Sequence, residues 1–368
     1  MTRCDALVVG GGPAGSTCAR VLTRAGLDVL VIDRARFPRD KVCAGWVTPG
    51  AFRLLELDPA EYRAAGLTIQ EITGFRTSVI GRPAVETRYP HVVSYAIRRC
   101  EFDDFLLRRA GARVRSEMPL SSLERRDGRW IANGGIETPL VIGAGGHFCP
   151  VARSLSGGSA GDAAERDPPH VRLVVAKEAE YRLAAGGSEV AGDTPELFFC
   201  HDLEGYGWCV RKGEYLNVGL GRRDHGDLNA HLRDFIVFLE RHGLARRASL
   251  VRWCGHAYLA SGTGPRPLIG DGVLLAGDSA GLAYPESGEG IKPAVESGRL
   301  AADAVIAANG RYDREELAPY EAALRRGHPA VRGTPPALAG AVKALGRGLM
   351  RSPVFTRRVL LDRWFLRA

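Results

Sequence analysis

Residues 4–26, CDALVVGGGPAGSTCARVLTRAG, decide the fold. The apolar run from Cys4 to Val9 reads as a buried strand. Gly10, Gly12 and Gly15 follow it in the spacing G-x-G-x-x-G. Ala14, Cys18, Val21, Leu22 and Ala25 then recur at helical spacing, and Gly26 suits a helix end. A second strand, DVLVID, ends at Asp33. Each piece has a task. Gly10 makes the tight turn, Gly12 lets the backbone approach a pyrophosphate, and Gly15 lets helix and strand pack closely. The helix N-terminus offers free N–H groups and a partial positive charge to phosphates. Asp33 follows Gly15 by 18 positions (33 − 15), where an acid accepts hydrogen bonds from a ribose. Three glycines alone are weak evidence. Strand, glycines, helix, strand and acid in that order predict a Rossmann-like dinucleotide-binding domain.

The far end of the chain chooses the dinucleotide. Residues 273–278, VLLAGD, read as another strand, and Asp278 at its end can hold a ribityl hydroxyl. Gly288, Glu289, Gly290 and Ile291 open a long helix whose N-terminus would face an anion. A reduced flavin carries negative charge at N1 and the C2 carbonyl, which a helix N-terminus stabilises. NAD has no ribityl chain, so the pair of elements indicates FAD.

The rest of the composition narrows the class. The chain has 368 residues, 45% hydrophobic and 25% charged, enough for roughly two domains. Its eight cysteines are scattered and include no Cys-x-x-Cys pair. Neither a disulfide framework nor a zinc site is expected, and the histidines show no metal spacing. No signal peptide and no apolar run near 18 residues is legible. The expectation is a cytoplasmic protein with reduced thiols. The net charge of +8 is concentrated toward residues 343–368. There Val354, Phe355, Val359, Leu360, Leu361, Trp364, Phe365 and Leu366 interleave with Arg357, Arg358, Arg363 and Arg367. Such a basic amphipathic segment either lies on a membrane surface or packs on its own domain. Nucleic acid is not expected, for lack of a binding motif.

Five segments together resemble one family. They are VVGGGPAGS (8–16), PRDKVCAG (38–45), RRCEFDDFLL (98–107), GYGWCVRKGEYLNVGLG (205–221) and GDSAGLAYPESGEGIKPAVESGRLAA (277–302). The chain resembles the geranylgeranyl reductase family of flavoproteins, within the para-hydroxybenzoate hydroxylase-like FAD superfamily. The resemblance implies tightly bound FAD, with NAD(P)H or another electron donor as reductant and no separate NAD(P)H domain. It also implies reduction of carbon–carbon double bonds in polyprenyl chains. Cys43, in the loop that matches the family's K-x-C-G-G, would lie over the flavin. There it acts as a proton donor, positions a substrate carbon, or only packs against the ring. Arg99 matches an arginine that contacts FAD, and an ion pair at the start of its own helix is the alternative. Tyr206 and Trp208 match an aromatic motif lining the substrate cavity, and Trp208 in a sheet core is the alternative. Pro13, Ala14, Arg34, Lys41, Ala44, Gly277 and Pro285 complete the cofactor set that the resemblance implies.

Three positions depart from the family pattern. Gly145 stands where an Asp is usual, Arg211 where the aromatic motif reaches a proline, and Ala44 where the cysteine loop has its first glycine. The missing Asp weakens an aromatic hydroxylase reading. A halogenase Trp-x-Trp-x-Ile-Pro motif does not follow Trp208.

The expected fold is α/β. A Rossmann-like FAD-binding domain (1–70, 98–165, 255–312) carries an inserted, mostly antiparallel substrate domain (71–97, 166–254). A helical C-terminal region covers 313–368. Asp127-Gly128 reads as a hairpin turn, and residues 154–168 as a polar loop. The leading function is an FAD-dependent reductase of an isoprenoid or similar lipophilic substrate. The alternatives are a monooxygenase acting on a small molecule and a redox-neutral cyclase or isomerase. Oligomeric state is not legible.

Overall fold

The computed structural model describes residues 1–157, 173–223, 228–260, 266–328 and 336–366. Most of the expected 154–168 loop lies outside the described residues. The apolar run that opens the chain is a strand, Ala6–Val9, with all four residues buried. Burial on both faces is what a central parallel strand requires. It pairs in parallel with Val29–Ile32 on one side and Val141–Gly143 on the other. Arg113–Arg115 and Val273–Leu275 extend this sheet in parallel, and Ile269–Gly270 closes it as an antiparallel edge. The helices Pro13–Arg24, Ile291–Ala308 and Arg314–Gly327 contribute Cys18, Leu22, Ala301, Val305, Leu317 and Tyr320 to the same core. A four-stranded sheet (Thr2–Arg3, Ile136–Thr138, Arg129–Ala132, Leu123–Arg126) belongs to this unit too. Its hairpin turns at Asp127 and Gly128, both at positive φ (48° and 77°), the backbone that a two-residue type I′ turn needs.

The second unit is built on a seven-stranded sheet. Its order is Cys254–Leu259, Leu173–Arg182, Tyr215–Arg222, Gly205–Lys212, Glu196–Phe199, Gly74–Val79, Val85–Arg88. The pairing of Glu196–Phe199 with Gly74–Val79 is parallel, whereas the pairings from Leu173–Arg182 to Glu196–Phe199 are antiparallel. Residues alternate between its two faces. Ala179, Cys209 and Val218 meet Phe235 and Leu239 of the helix Leu228–Arg241. On the other face, Trp208 and Val210 meet Phe75, Leu360, Leu361 and Phe365.

The expected α/β class, with an antiparallel sheet inserted in a Rossmann-like frame, matches this architecture. The boundaries differ from the expected ones. The first unit comprises Met1–Arg39, Cys100–Arg172 and Tyr258–Val331, and the second Asp40–Arg99, Leu173–Ala257 and Arg332–Ala368. Residues 40–70 therefore group with the second unit, where their strands form a separate three-stranded sheet. The reason is strand pairing: Trp46–Val47 and Ile69–Ile72 both pair with Ser94–Ile97. The C-terminal region is not one body either. The helix Arg314–Gly327 packs in the first unit, and residues 336–366 belong to the second.

Candidate functional site: a nucleotide cradle and a cysteine loop

In the first unit the glycines form the expected turn. A β-carbon at Gly15 would collide with the Gly10 carbonyl oxygen, so helix and strand approach as closely as the motif requires. Gly12 caps the helix Pro13–Arg24 without a side-chain hydrogen bond, leaving the N-terminal N–H groups of a buried Pro13-Ala14-Gly15 turn unclaimed by a cap. Asp33 braces the turn: its carboxylate accepts from the Gly11 N–H and the Ala35 N–H, each at 2.8 Å. Arg34, beside it, is exposed.

Arg39 is the residue that sequence reading missed. Its guanidinium lies 3.5 Å from where a Gly12 β-carbon would be. Nη2 pairs with Asp103 at 3.1 Å, and the Asp103 side chain is fully buried. Nη1 is buried with no hydrogen-bond partner among the described residues. An unsatisfied buried guanidinium N–H is costly, and a pyrophosphate is the chemistry that satisfies it. Asp103 also gives the RRCEFDD segment a task. Its helix, Arg99–Arg109, starts at Arg99, itself buried.

The second half of the cradle follows the strand Val273–Leu275. Gly277 turns at φ 63°, its N–H donating to Ser297 Oγ at 2.9 Å. Asp278 Oδ1 lies 3.2 Å from the point where a Gly290 β-carbon would sit. The expected acid and the helix start are thus side by side, since Gly290 caps the buried Ile291 that opens Ile291–Ala308. Gly288 sits at φ 70° and Pro285 is half-buried in the connecting turn. These residues fit FAD: a capless helix start and the buried, unpartnered Nη1 of Arg39 for the pyrophosphate, and an acid beside a glycine-capped helix for the ribityl end.

In the second unit the Cys43 loop lies on the sheet. The Cys43 N–H donates to Glu178 Oε2 at 2.6 Å, and its carbonyl accepts from Asn217 Nδ2 at 3.4 Å. The Gly45 N–H lies 3.4 Å from Cys43 Sγ and donates to it. Gly45 has φ 65°, and a β-carbon there would strike the Ile97 carbonyl and come within 2.6 Å of Lys212 Nζ. Ala44 beside it packs against the aromatic core, and Lys41 contacts His256.

Beneath the loop is a buried polar network. Lys212, wholly buried, pairs with Glu180 at 2.7 Å, and Arg98 pairs with the same carboxylate at 3.0 Å. Asn217 donates to Glu180 at 3.3 Å and accepts from the Trp208 indole at 2.7 Å. Register explains this. Glu178 faces Gly219 across one pairing and Gly219 faces Trp208 across the next. A β-carbon at Gly219 would occupy the indole ring, so the glycine makes room for Trp208. Burial pushes the Glu178 carboxyl up to about 7, against the opposing pull of Lys212 and the Cys43 N–H. Burial also acts to raise Glu180, but Lys212 and Arg98 hold it below the usual carboxylate range.

Tyr206 and Trp208 occupy the expected strand, Gly205–Lys212. Trp208 is buried, so its place is the sheet core, with its N–H tied into the polar network. Tyr206 is half-buried in an aromatic wall: its ring lies 5.6 Å from Phe199 and 5.4 Å from Phe365, while Trp46 stacks on Phe75 at 4.7 Å. Among the described residues no His, Cys, Asp and Glu group is arranged to hold a metal.

Comparison with known proteins agrees with this geometry. Residues 3–97 match the FAD binding domain family. A digeranylgeranylglycerophospholipid reductase 2 from Methanothermobacter thermautotrophicus is 30% identical over 88% of this chain and 83% of its own length. A menaquinone reductase from Mycolicibacterium smegmatis is 31% identical over 82% and 76%. The crystal structure of a geranylgeranyl bacteriochlorophyll reductase-like protein from Thermoplasma acidophilum shares the fold, with a TM-score of 0.72 at 23% identity, covering 95% of this chain and 88% of that one.

Proposed function

The chain belongs to the geranylgeranyl reductase family of FAD-dependent oxidoreductases, and on that premise we propose that it saturates carbon–carbon double bonds of an isoprenoid or similar lipophilic substrate. The observation that carries this reading is the second unit's sheet face. There the half-buried Trp46, Phe199 and Tyr206 lie in one apolar cluster with Ala44 of the Cys43 loop, over a core that includes Phe75 and Phe365. An apolar surface with a few fixed polar groups suits a polyprenyl chain. The cradle residues would hold FAD, which, reduced by NAD(P)H or another donor, would supply hydride chemistry for one alkene carbon. Cys43 Sγ holds the proton for the other, or positions that carbon. The glycine cradle, Arg39, Asp33 and Asp278 retain the cofactor. Peripheral contact with an anionic membrane belongs to the same reading. Val354 is exposed, as are Arg357, Arg358 and Arg363, the kind of basic and apolar pairing that an anionic bilayer attracts.

The test is anaerobic. Protein reduced without oxygen is mixed with polyprenyl lipids, and the products are read by mass spectrometry. A gain of two hydrogens per double bond, with stoichiometric flavin reoxidation, is expected. Oxygen incorporation into a small molecule only in air would overturn the reading in favour of a monooxygenase. An isomerised product with no net electron use would overturn it in favour of a redox-neutral enzyme.

A further inference from the structure

We propose that Glu178 is a positioning residue for Cys43: its carboxylate grips the Cys43 N–H and fixes the thiol-bearing loop on the sheet, and losing the negative charge loosens that grip. The proposal rests on the reading that Cys43 takes part in turnover.

The geometry is specific. The contact is short, 2.6 Å, and Glu178 is a buried strand residue, so its side chain cannot wander. The loop is held at both ends of one residue, because Asn217 binds the Cys43 carbonyl while Glu178 binds its N–H. Gly45 then lies against Lys212 and donates to the sulfur, so movement at residue 43 moves the thiol's own hydrogen-bond donor. The charges around Glu178 come from each packed element. Glu180 shares its strand, and Lys212 reaches in from Gly205–Lys212. Arg98 binds the far side of Glu180, and the Lys41–His256 pair flanks the loop and the neighbouring strand Cys254–Leu259. Lys212 and Arg98 are already engaged with Glu180. When ionised, Glu178 therefore carries a negative charge held by hydrogen bonds from the Cys43 amide and the Asn217 side chain. Hydrogen bonds to an ionised acceptor are roughly twice as strong as neutral ones, so neutralising it weakens the clamp without removing the oxygen. Burial places the change near neutral pH, at about 7.

The decisive measurement is hydrogen exchange of the peptide spanning residues 41–47 in the FAD-loaded protein. It runs from pH 5.5 to 8.5, corrected for intrinsic exchange. In the parent, protection rises about tenfold through a midpoint near 7. In Glu178→Gln it stays at the parent's low-pH value throughout. Glu178→Asp, which keeps the charge but shortens the reach, is protected less at high pH yet still titrates. Identical profiles in parent and Glu178→Gln overturn the proposal, as does full protection of the Gln variant at every pH. A second readout is kcat, which falls below pH 7 in the parent with KM unmoved and is flat in Glu178→Gln. The exchange profile decides the proposal even where no double bond is reduced. A Glu178-dependent profile beside normal turnover in Cys43→Ala supports the clamp and overturns the role given to the thiol.

Discussion

Glu178 is buried and Arg39 half-buried, and each ionisable side chain is explained by what it holds. Arg39 is tied on one side to Asp103 and bare on the other, a state that a bound pyrophosphate relieves. Arg39→Ala lowers FAD affinity by about ten- to hundredfold, the loss of one charge-assisted contact. Titration of flavin into apoprotein reads this, and an unchanged affinity would remove Arg39 from the cradle. Cys43→Ala keeps its FAD, because the cradle of Gly10, Gly12, Gly15, Asp33, Arg39 and Asp278 does not draw on the Cys43 side chain, and slows reduction of the lipid. An unchanged rate would leave the thiol as packing. Glu178 carries a stability signature as well. Its folded value, about 7, lies above the ordinary 4.5. The folded state thus keeps a proton that the unfolded chain releases, and stability falls as pH rises between these values. Glu178→Gln removes that penalty, worth roughly 3 kcal/mol. The variant melts higher than the parent at pH 8 and at the same temperature at pH 5. An equal difference at both pH values would contradict the buried, uncharged-favouring site.

At the scale of elements, the C-terminal segment is the one whose role changes between sequence and structure. The segment Thr356–Phe365 buries Thr356, Leu360, Leu361 and Phe365 against the sheet, and Phe365 contacts Trp46 and Tyr206. Of the two expectations for this amphipathic stretch, packing on its own domain accounts for its buried side chains. Removing residues 352–368 therefore deletes the buried Leu360, Leu361 and Phe365 and uncovers the apolar side chains they pack on, costing roughly 5 kcal/mol or more. The truncated protein loses cooperative melting at moderate temperature, and a melt equal to the parent's would contradict the packing. Deletion is for that reason a poor test of membrane binding.

At the scale of the whole molecule, among the described residues no helix is long and apolar enough to cross a membrane. Contact with a bilayer would fall to exposed basic and apolar side chains. Reversing Arg357 and Arg358 to Glu, which leaves Leu360, Leu361 and Phe365 in place, weakens pelleting with anionic vesicles about tenfold or more, at about 1 kcal/mol per removed cation plus the added repulsion. Equal pelleting of parent and variant removes the membrane from the proposed function.

The sequence by itself determined the local chemistry: the glycine turn, its acid, the antiparallel hairpin at Asp127-Gly128, the second strand-and-helix pair at Asp278 and Gly290, and FAD as the dinucleotide. These follow from short-range spacing, since a turn, a cap or a strand end is set by residues within a few positions. Spacing could not reveal the contacts that join distant positions. Arg39 meets Asp103 across 64 positions (103 − 39), and Cys43 meets Glu178 across 135. Nor did it show that residues 40–70 group with the second unit, where Trp46–Val47 and Ile69–Ile72 pair with Ser94–Ile97 in a small sheet of their own, because strand partners are chosen by pairing in space. Trp208 reads as a cavity aromatic in the motif, yet Gly219 and Asn217 on the next strand make it a core residue that anchors the polar network. Only the tertiary structure decided these points, because burial and pairing across the chain set the charge, the neighbours and the freedom of each side chain.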